Sequence, residues 1–196
     1  MNSLYRLISL IRDKAVTYGD FILASGERSS YYLDLKQLTL DSEALTLIAE
    51  LILDRLSQFA GGRPIVAVGG LVIGADPLVG AVLVVARAKD KFPTKGFLVR
   101  KEDKGHGMER FLEGPVRPGD TAIILEDVLT TGSSALLAAQ RATEFGLRVE
   151  GVLAVVDRMQ GGANAVKNSK LPCLSLLTRD DLFLETHAPD KAPSPT

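Results

Sequence analysis

Two adjacent carboxylates, Glu126 and Asp127, end an apolar run and stand directly before a turn of small residues. The turn, Thr130 to Ser134, carries hydroxyl groups, and its backbone N–H groups can bind a phosphate where they enter a helix. Carboxylates repel phosphate, so these two must face ribose hydroxyls or a Mg²⁺ ion shared with the substrate. The pattern, which lacks the lysine of a Walker A motif, favours a phosphorylated sugar. The alternative is an ordinary strand–turn–helix junction with capping residues.

A second candidate group is cationic. Gly105 lies within it and Gly107 directly follows it, and both glycines would allow the segment to move. Taken alone, a charge run of this kind is typical of a solvated surface. Its four potentially cationic side chains fall within seven residues and are Arg100, Lys101, Lys104 and His106.

A third candidate is the pair Asp157-Arg158, which follows the apolar run that ends at Val156. An arginine at such a position can offer two parallel N–H donors to a carboxylate. The alternative is an Asp–Arg pair on the surface at the end of a strand.

The elements that position these groups follow from the hydrophobic periodicity. Residues 3–16 and 41–58 have the spacing of amphipathic helices, with Asp41 as N-cap of the second, and residues 20–38 predict a hairpin or short strands. Apolar strands then alternate with helices, which indicates a parallel α/β sheet covered on both faces. The predicted strands are 64–70, 95–101, 121–127 and 149–157, and the helices among them are 76–88, with Asp76 as N-cap, and 134–145, closed by Gly146.

Ligands of such sheets bind outside the carboxyl ends of the strands, where Glu126, Asp127 and Arg158 are expected. The connection from residue 102 to residue 118 has little apolar periodicity, and so long a connection is usually functional or disordered. The polar, proline-rich residues 187–196 are predicted to be disordered.

Composition narrows the class of protein. The chain has 196 residues, a formal net charge of −1 and 46% hydrophobic residues, which suits a single domain with a sizeable core. The near-neutral charge gives no reason to expect nucleic-acid or membrane binding, and Asp76-Pro77 interrupts the longest apolar stretch, which argues against a transmembrane helix. Cys173 is the only cysteine, so we expect a buried, inert thiol and a reducing cytoplasm.

The run from Glu126 to Ser134, EDVLTTGSS, resembles the signature with which type I phosphoribosyltransferases bind 5-phosphoribosyl-1-pyrophosphate (PRPP), although its first acidic residue is more often aspartate. The resemblance implies their fold: an α/β domain over residues 1–186, with a small N-terminal hood (about 1–40) and a core (about 41–186) whose parallel sheet is flanked by helices. It implies PRPP contacts by the whole run, which comprises Glu126, Asp127, Val128, Leu129, Thr130, Thr131, Gly132, Ser133 and Ser134.

The cationic segment resembles the mobile catalytic loop of orotate phosphoribosyltransferases, an Arg-Lys-Glu-x-Lys-x-His run. In that family the loop reaches the active site of the neighbouring subunit, which implies a homodimer in which Arg100, Lys104 and His106 act in trans. Lys101 would help to anchor the pyrophosphate. Cations placed there stabilise the charge that develops on the leaving group, and a loop that closes over the site excludes water.

Two further segments resemble the base-binding parts of the same family. VVDR-x-x-GG implies that Arg158 contacts orotate, with Thr130 as a second contact. The hood segment from Phe21 to Asp34 implies that the region of Tyr31 and Tyr32 covers the base. Two lysines of many relatives are replaced in this chain, one by Ala24 in the hood and one near Gly74 in a loop that approaches pyrophosphate.

Taken together, these resemblances imply an orotate phosphoribosyltransferase of UMP biosynthesis, which converts orotate and PRPP into orotidine 5′-monophosphate and pyrophosphate. Lys104, His106, Arg100 and Asp127 are the expected catalytic residues. Mg²⁺ is the expected cofactor, held mainly by the substrate and not directly by the protein. The alternatives are a phosphoribosyltransferase for another base and a regulator that senses PRPP on the same fold.

Overall fold

The computed structural model of the chain describes residues 3–22, 28–59, 64–101 and 111–183. In these ranges the helices are α1 (Ser3–Lys14), α2 (Lys36–Thr39), α3 (Ser42–Leu56), α4 (Asp76–Ala88), α5 (Ser133–Phe145), α6 (Gly162–Asn168) and α7 (Arg179–Phe183). The strands are β1 (Val16–Ile22), β2 (Arg28–Leu33), β3 (Ala67–Leu71), β4 (Lys95–Val99), β5 (Leu112–Glu113), β6 (Thr121–Leu129), β7 (Arg148–Asp157) and β8 (Cys173–Thr178).

The main sheet has six strands in the order β5-β4-β3-β6-β7-β8, and a separate two-stranded sheet is formed by β1 and β2. The pairs among β4, β3, β6, β7 and β8 are parallel, and only β5 runs antiparallel to its neighbour. The strand order changes direction between β3 and β6, because β4 lies on one side of β3 and β6 on the other. The carboxyl ends of β3 and β6 therefore border a crevice of the kind that binds ligands in open α/β sheets.

Helices cover both faces of the sheet, as the alternation of strands and helices predicted. Successive side chains of a strand point to opposite faces. Accordingly, Ile123 packs in the core beneath α1, α3 and α4, whereas its neighbour Ile124 packs in the core beneath α5 and α6. Both side chains are fully buried, so β6 is the central strand about which the two cores are built.

The helix ends test the capping predictions. The Asp41 carboxylate accepts a hydrogen bond from the Ala44 N–H at 3.0 Å, which confirms it as the N-cap of α3. Gly146 closes α5 with a φ of +103°, as expected of a C-terminal glycine. The N-cap prediction for Asp76 was wrong: α4 begins at Asp76 itself and Ala75 precedes it as N-cap. Pro77, at the start of the helix, fits the missing N–H of its first turn.

Several elements escaped the periodicity analysis because they are short. The segment 102–118 was expected to lack structure, yet Leu112 and Glu113 form β5 against Leu98 and Val99. Helices α2, α6 and α7 and strand β8 were also not predicted. The hairpin around residues 20–38 is present as β1 and β2. Residues 187–196 and Ala24 lie outside the described residues, and no helix within the described ranges is long and apolar enough to span a membrane.

Candidate active site

The turn between β6 and α5 forms a phosphate-sized cradle. Residues 128–134, with Glu126, line a cavity of about 70 Å³. Gly132, the N-cap of α5, has a φ of +83° and no side chain with which to cap the helix. The first-turn N–H groups of α5 thus face the cavity without a capping side chain from that residue, and the helix dipole favours an anion there. The hydroxyls of Thr131 and Ser133 lie 3.1 Å apart at its rim.

A second turn, after β7, supports the cradle from behind. The Gly162 N–H donates to the Thr130 carbonyl at 2.9 Å. A Cβ atom on Gly162 would lie 2.6 Å from the Thr130 carbonyl oxygen and 3.0 Å from the Gly132 nitrogen, so only glycine fits without displacement. The sequence showed the glycine pair Gly161-Gly162, but nothing in it identified the turn against which that pair packs.

The two carboxylates stand at the edge of the cradle in unequal environments. Burial raises the pKa of Glu126 to about 8; the neighbouring charge of Asp127 adds to the rise and the Lys101 ammonium opposes it. Asp127 accepts a hydrogen bond from the Val128 N–H at 2.8 Å. At neutral pH Glu126 is therefore mostly protonated in the ligand-free protein and can donate a hydrogen bond as well as accept one.

The loop after β3 reaches the same carboxylates. A Cβ on Gly74 would lie 2.9 Å from the nearer carboxylate oxygen of Asp127. Because Gly74 has no side chain, the side of the Asp127 carboxylate that faces residue 74 stays open. This contact joins the ends of β3 and β6 at the crevice where the strand order changes direction.

A wider cleft of about 620 Å³ opens between the hood hairpin and the ends of β6 and β7. Arg158 lies in it with 8% of its surface exposed, and its Nε has no hydrogen-bond partner among the described residues. The Arg158 guanidinium carbon lies 5.3 Å from the centre of the Tyr31 ring. Further lining residues include Phe21, Tyr32, Asp127, Thr130 and Gln160.

The first two residues of the cationic segment are held by β5 and α5. The Arg100 N–H donates to the Phe111 carbonyl at 2.9 Å, and its side chain pairs with Glu113 at 2.8 Å. The Lys101 carbonyl accepts a hydrogen bond from Arg141 at 2.8 Å. The rest of the segment, with Lys104 and His106, lies outside the described residues.

Comparison with known proteins identifies the family of this chain. A scan of protein-family models found no match. The orotate phosphoribosyltransferase of Rhodopirellula baltica is 44% identical over 182 residues, which cover 91% of this chain and 93% of that protein. This chain belongs to the orotate phosphoribosyltransferase family.

Solved structures of orotate phosphoribosyltransferases agree. The Mycobacterium tuberculosis H37Rv enzyme in complex with Fe(III) dicitrate matches with a TM-score of 0.81 and 37% identity, covering 93% of this chain and 99% of that one. The same enzyme in complex with PRPP matches with a TM-score of 0.77 and 34% identity over the same shares. The expected type I phosphoribosyltransferase fold, with its parallel sheet flanked by helices, is thereby confirmed.

The structure brings most of the expected site residues together in two adjoining places. Glu126 and residues 128–134 line the cradle, and Asp127, Thr130, Tyr32 and Arg158 share the adjoining cleft. Tyr31 does not line the cleft; it packs between Arg158 and Phe183, whose ring centre is 4.6 Å away. The Arg100 side chain forms an ion pair with Glu113, which does not line the cradle.

Two cleft residues had no assigned role in the sequence. Gln160 lies two positions after Arg158 in the sequence, and Lys36 follows the hood hairpin of β1 and β2. Neither residue belongs to a sequence pattern that predicts contact with a base. Among the described residues, no three His, Cys, Asp or Glu side chains come together as a metal site. The carboxylates that any metal would meet at the cradle are those of Glu126 and Asp127.

Proposed function

We propose that this protein transfers the 5-phosphoribosyl group of PRPP to orotate, giving orotidine 5′-monophosphate and pyrophosphate for UMP biosynthesis in the cytoplasm. The observation that carries the proposal is the position of Arg158. This nearly buried arginine lines the same cleft as Asp127 and Thr130, and no described residue accepts a hydrogen bond from its Nε. A carboxylate-bearing base would pair with its guanidinium directly beside the cradle.

PRPP is proposed to bind with its 5-phosphate in the cradle of residues 130–134. The open N–H groups at the start of α5 and the hydroxyls of Thr131 and Ser133 supply donors of the kind that a phosphate needs. Its ribose hydroxyls would then face Glu126 and Asp127. A protonated Glu126 donates to one ribose oxygen, and a side-chain oxygen of Asp127 accepts from a hydroxyl.

Orotate is proposed to lie in the wider cleft. Arg158 binds its carboxylate, Thr130 offers a hydroxyl, and the half-exposed ring of Tyr32 covers one face of the base. Phe21, whose ring centre lies 5.7 Å from that of Tyr32, makes the hood wall apolar. Tyr31 acts from behind, because it stacks on the arginine rather than on the ligand.

The reaction needs no protein nucleophile. The bond between the anomeric carbon and the pyrophosphate oxygen breaks, and its electron pair leaves with pyrophosphate through an oxocarbenium-like transition state. The lone pair of the base nitrogen forms the new bond on the opposite face. Cations near the leaving oxygen stabilise its developing charge. We assign that task to Lys101 and, from the neighbouring subunit of a homodimer, to Arg100, Lys104 and His106.

Mg²⁺ is proposed to arrive with PRPP, and it would neutralise pyrophosphate oxygens when bound. The donor set at the cradle fits this arrangement: two carboxylates, one of them mostly protonated at neutral pH, are too few for a dedicated site. The substrate would hold most of the ion, and Asp127, which lines the cleft, would face it through water.

The test is the loss of orotate absorbance when the purified protein is mixed with orotate, PRPP and Mg²⁺. Adenine, hypoxanthine and uracil run in parallel as controls, because a phosphoribosyltransferase for another base would consume one of them instead. Loss with orotate alone is the expected result. PRPP binding without turnover of any base would contradict the proposal and favour a PRPP-sensing regulator.

A further inference from the structure

Arg141, near the middle of α5, touches the chain on both sides of the segment 102–110. Its Nη2 donates to the Lys101 carbonyl at 2.8 Å. Its guanidinium carbon lies 3.9 Å from the centre of the Phe111 ring, which is a close cation–π contact. One side chain therefore holds two points of the chain that are ten positions apart in sequence.

The same two points are already paired through the backbone. Val99 pairs with Leu112 in the β4–β5 ladder, and the Arg100 N–H donates to the Phe111 carbonyl. Arg141 adds the next contact beyond this ladder, at the position where Lys101 leaves the sheet. This hydrogen bond fixes the direction of the backbone at Lys101.

Lys101 follows the carboxyl end of β4, which lies at the same edge of the sheet as the carboxyl ends of β3 and β6. Its ammonium opposes the rise in the pKa of Glu126, whose carboxyl lines the phosphate cradle. The helix that carries Arg141 also begins at that cradle, with Gly132 as its N-cap. Helix α5 thus connects the groups proposed to bind the 5-phosphate with the backbone that carries Lys101.

The environment of Arg141 is unusual for a residue that serves packing alone. Its Nη1 is buried and has no hydrogen-bond partner among the residues that the structure describes. A buried donor without a partner costs free energy, so such a group in a folded protein calls for another reason. The two contacts to Lys101 and Phe111 supply one.

We infer that Arg141 is a positioning residue for phosphoribosyl transfer, which holds the chain at Lys101 and Phe111 so that the Lys101 ammonium stands at the PRPP site. The inference rests on the proposed function. Arg141 itself is not expected to touch either substrate. Its effect on the reaction should therefore pass through Lys101.

The test compares Arg141→Met, Arg141→Lys and Lys101→Ala with the double variant, by calorimetric PRPP binding with Mg²⁺ and by steady-state kinetics. A hydrogen bond from a charged donor is lost in Arg141→Met, so PRPP affinity should fall on the order of tenfold. The KM for orotate should stay within about twofold of wild type, since Arg158 is untouched. Arg141→Lys keeps a donor and a cation, so it should lose less than Arg141→Met.

The double variant decides between positioning and an independent role. If Arg141 acts through Lys101, the double variant should bind PRPP no more weakly than Lys101→Ala alone. Losses that multiply would overturn the inference, as would an Arg141→Met variant that binds PRPP like wild type. Gln140→Ala is the matched control, because Gln140 is exposed on the same helix and its side chain donates a hydrogen bond to Glu144.

The binding readout keeps this inference separate from the proposed function. Wild-type protein that binds PRPP but does not consume orotate would contradict the proposed activity. The PRPP affinities of the variants would still test the positioning role of Arg141. Wild-type protein that does not bind PRPP would overturn both. The melting temperature of Arg141→Met is expected to be close to that of Gln140→Ala. If Arg141→Met does not fold, the PRPP affinity of Arg141→Lys tests the inference instead.

Discussion

Replacing Gly162 by alanine should weaken PRPP binding while the protein remains folded. The added Cβ would stand 2.6 Å from the Thr130 carbonyl oxygen and 2.9 Å from a side-chain carbon of Leu129, whereas ordinary contact begins at 3.4 Å. The turn at Thr130 must therefore move by about 0.8 Å, the difference between 3.4 and 2.6 Å. Its neighbour Gly132 moves with it, because the Cβ also meets the Gly132 nitrogen at 3.0 Å.

The displaced atoms belong to the proposed 5-phosphate site, which sets the magnitude of the effect. A misplacement of about 1 Å can reduce catalysis on the order of 10²-fold, so we expect kcat/KM for PRPP to fall between about tenfold and that limit. Overpacking of this kind costs about 1–3 kcal/mol of folding free energy. For a chain of this length that lowers the melting temperature by roughly 2–12 °C.

The assay is PRPP binding by calorimetry, followed by steady-state kinetics and thermal melting. Gly80→Ala is the matched control, since a Cβ on Gly80, in α4, meets no atom within 4 Å. That variant should bind PRPP normally and gain about 0.5–1 kcal/mol of stability, the usual advantage of alanine over glycine in a helix. Wild-type PRPP affinity in Gly162→Ala would refute the reasoning, because the two turns could then separate at no cost to the cradle.

Three further outcomes follow from the site. Arg158→Leu should raise the KM for orotate by about 10- to 10²-fold, from loss of charged hydrogen bonds, while calorimetric PRPP affinity is retained; an equal loss of PRPP affinity would contradict its assignment to the base. The folded-state pKa of Glu126 lies near 8, above the ordinary 4.5, so the wild-type protein should lose folding stability as pH rises from about 4.5 to 8. Thermal melts of Glu126→Gln over the same pH range should lack this part of the pH dependence. An identical pH dependence in the two proteins would argue against a buried carboxyl. Inactive Lys104→Ala and Asp127→Ala proteins, once mixed, should regain activity through hybrid dimers if the cationic segment acts in trans, and confirmed subunit exchange without recovery would rule that out.

Much of the site could be predicted because its parts are local. Glu126, Asp127 and the turn to Ser134 form one continuous run after a stretch of apolar residues. The apolar stretch predicts a strand, the two carboxylates predict a site at its end, and the glycine-containing turn predicts the start of a helix. Arg158 was predicted for the same reason, as a polar residue at the end of an apolar strand. Asp41 could be recognised as an N-cap because its hydrogen bond is made three residues away, to Ala44.

Short elements and misjudged caps show the limit of this approach. Strand β5 has two residues, too few for any periodicity, and it exists because Val99 and Leu98 offer it a partner. Asp76 has the residue type and spacing of an N-cap, yet the helix begins one residue earlier than that role requires. Burial decided the pKa of Glu126, and burial depends on what covers the strand end rather than on the residue's neighbours in sequence.

The sequence by itself determined the strands β3, β4, β6 and β7, the long helices and the residues that follow these strands at their carboxyl ends. Only the tertiary structure decided which of those ends meet: Gly74 against Asp127, Gly162 against Thr130, and Arg141 against Lys101, which is 40 positions away. The physical reason is that hydrophobic periodicity reports which face of an element is buried, whereas these contacts depend on the order of strands in the sheet. That order is set by the packing of both cores at once, and so it cannot be read from any single segment.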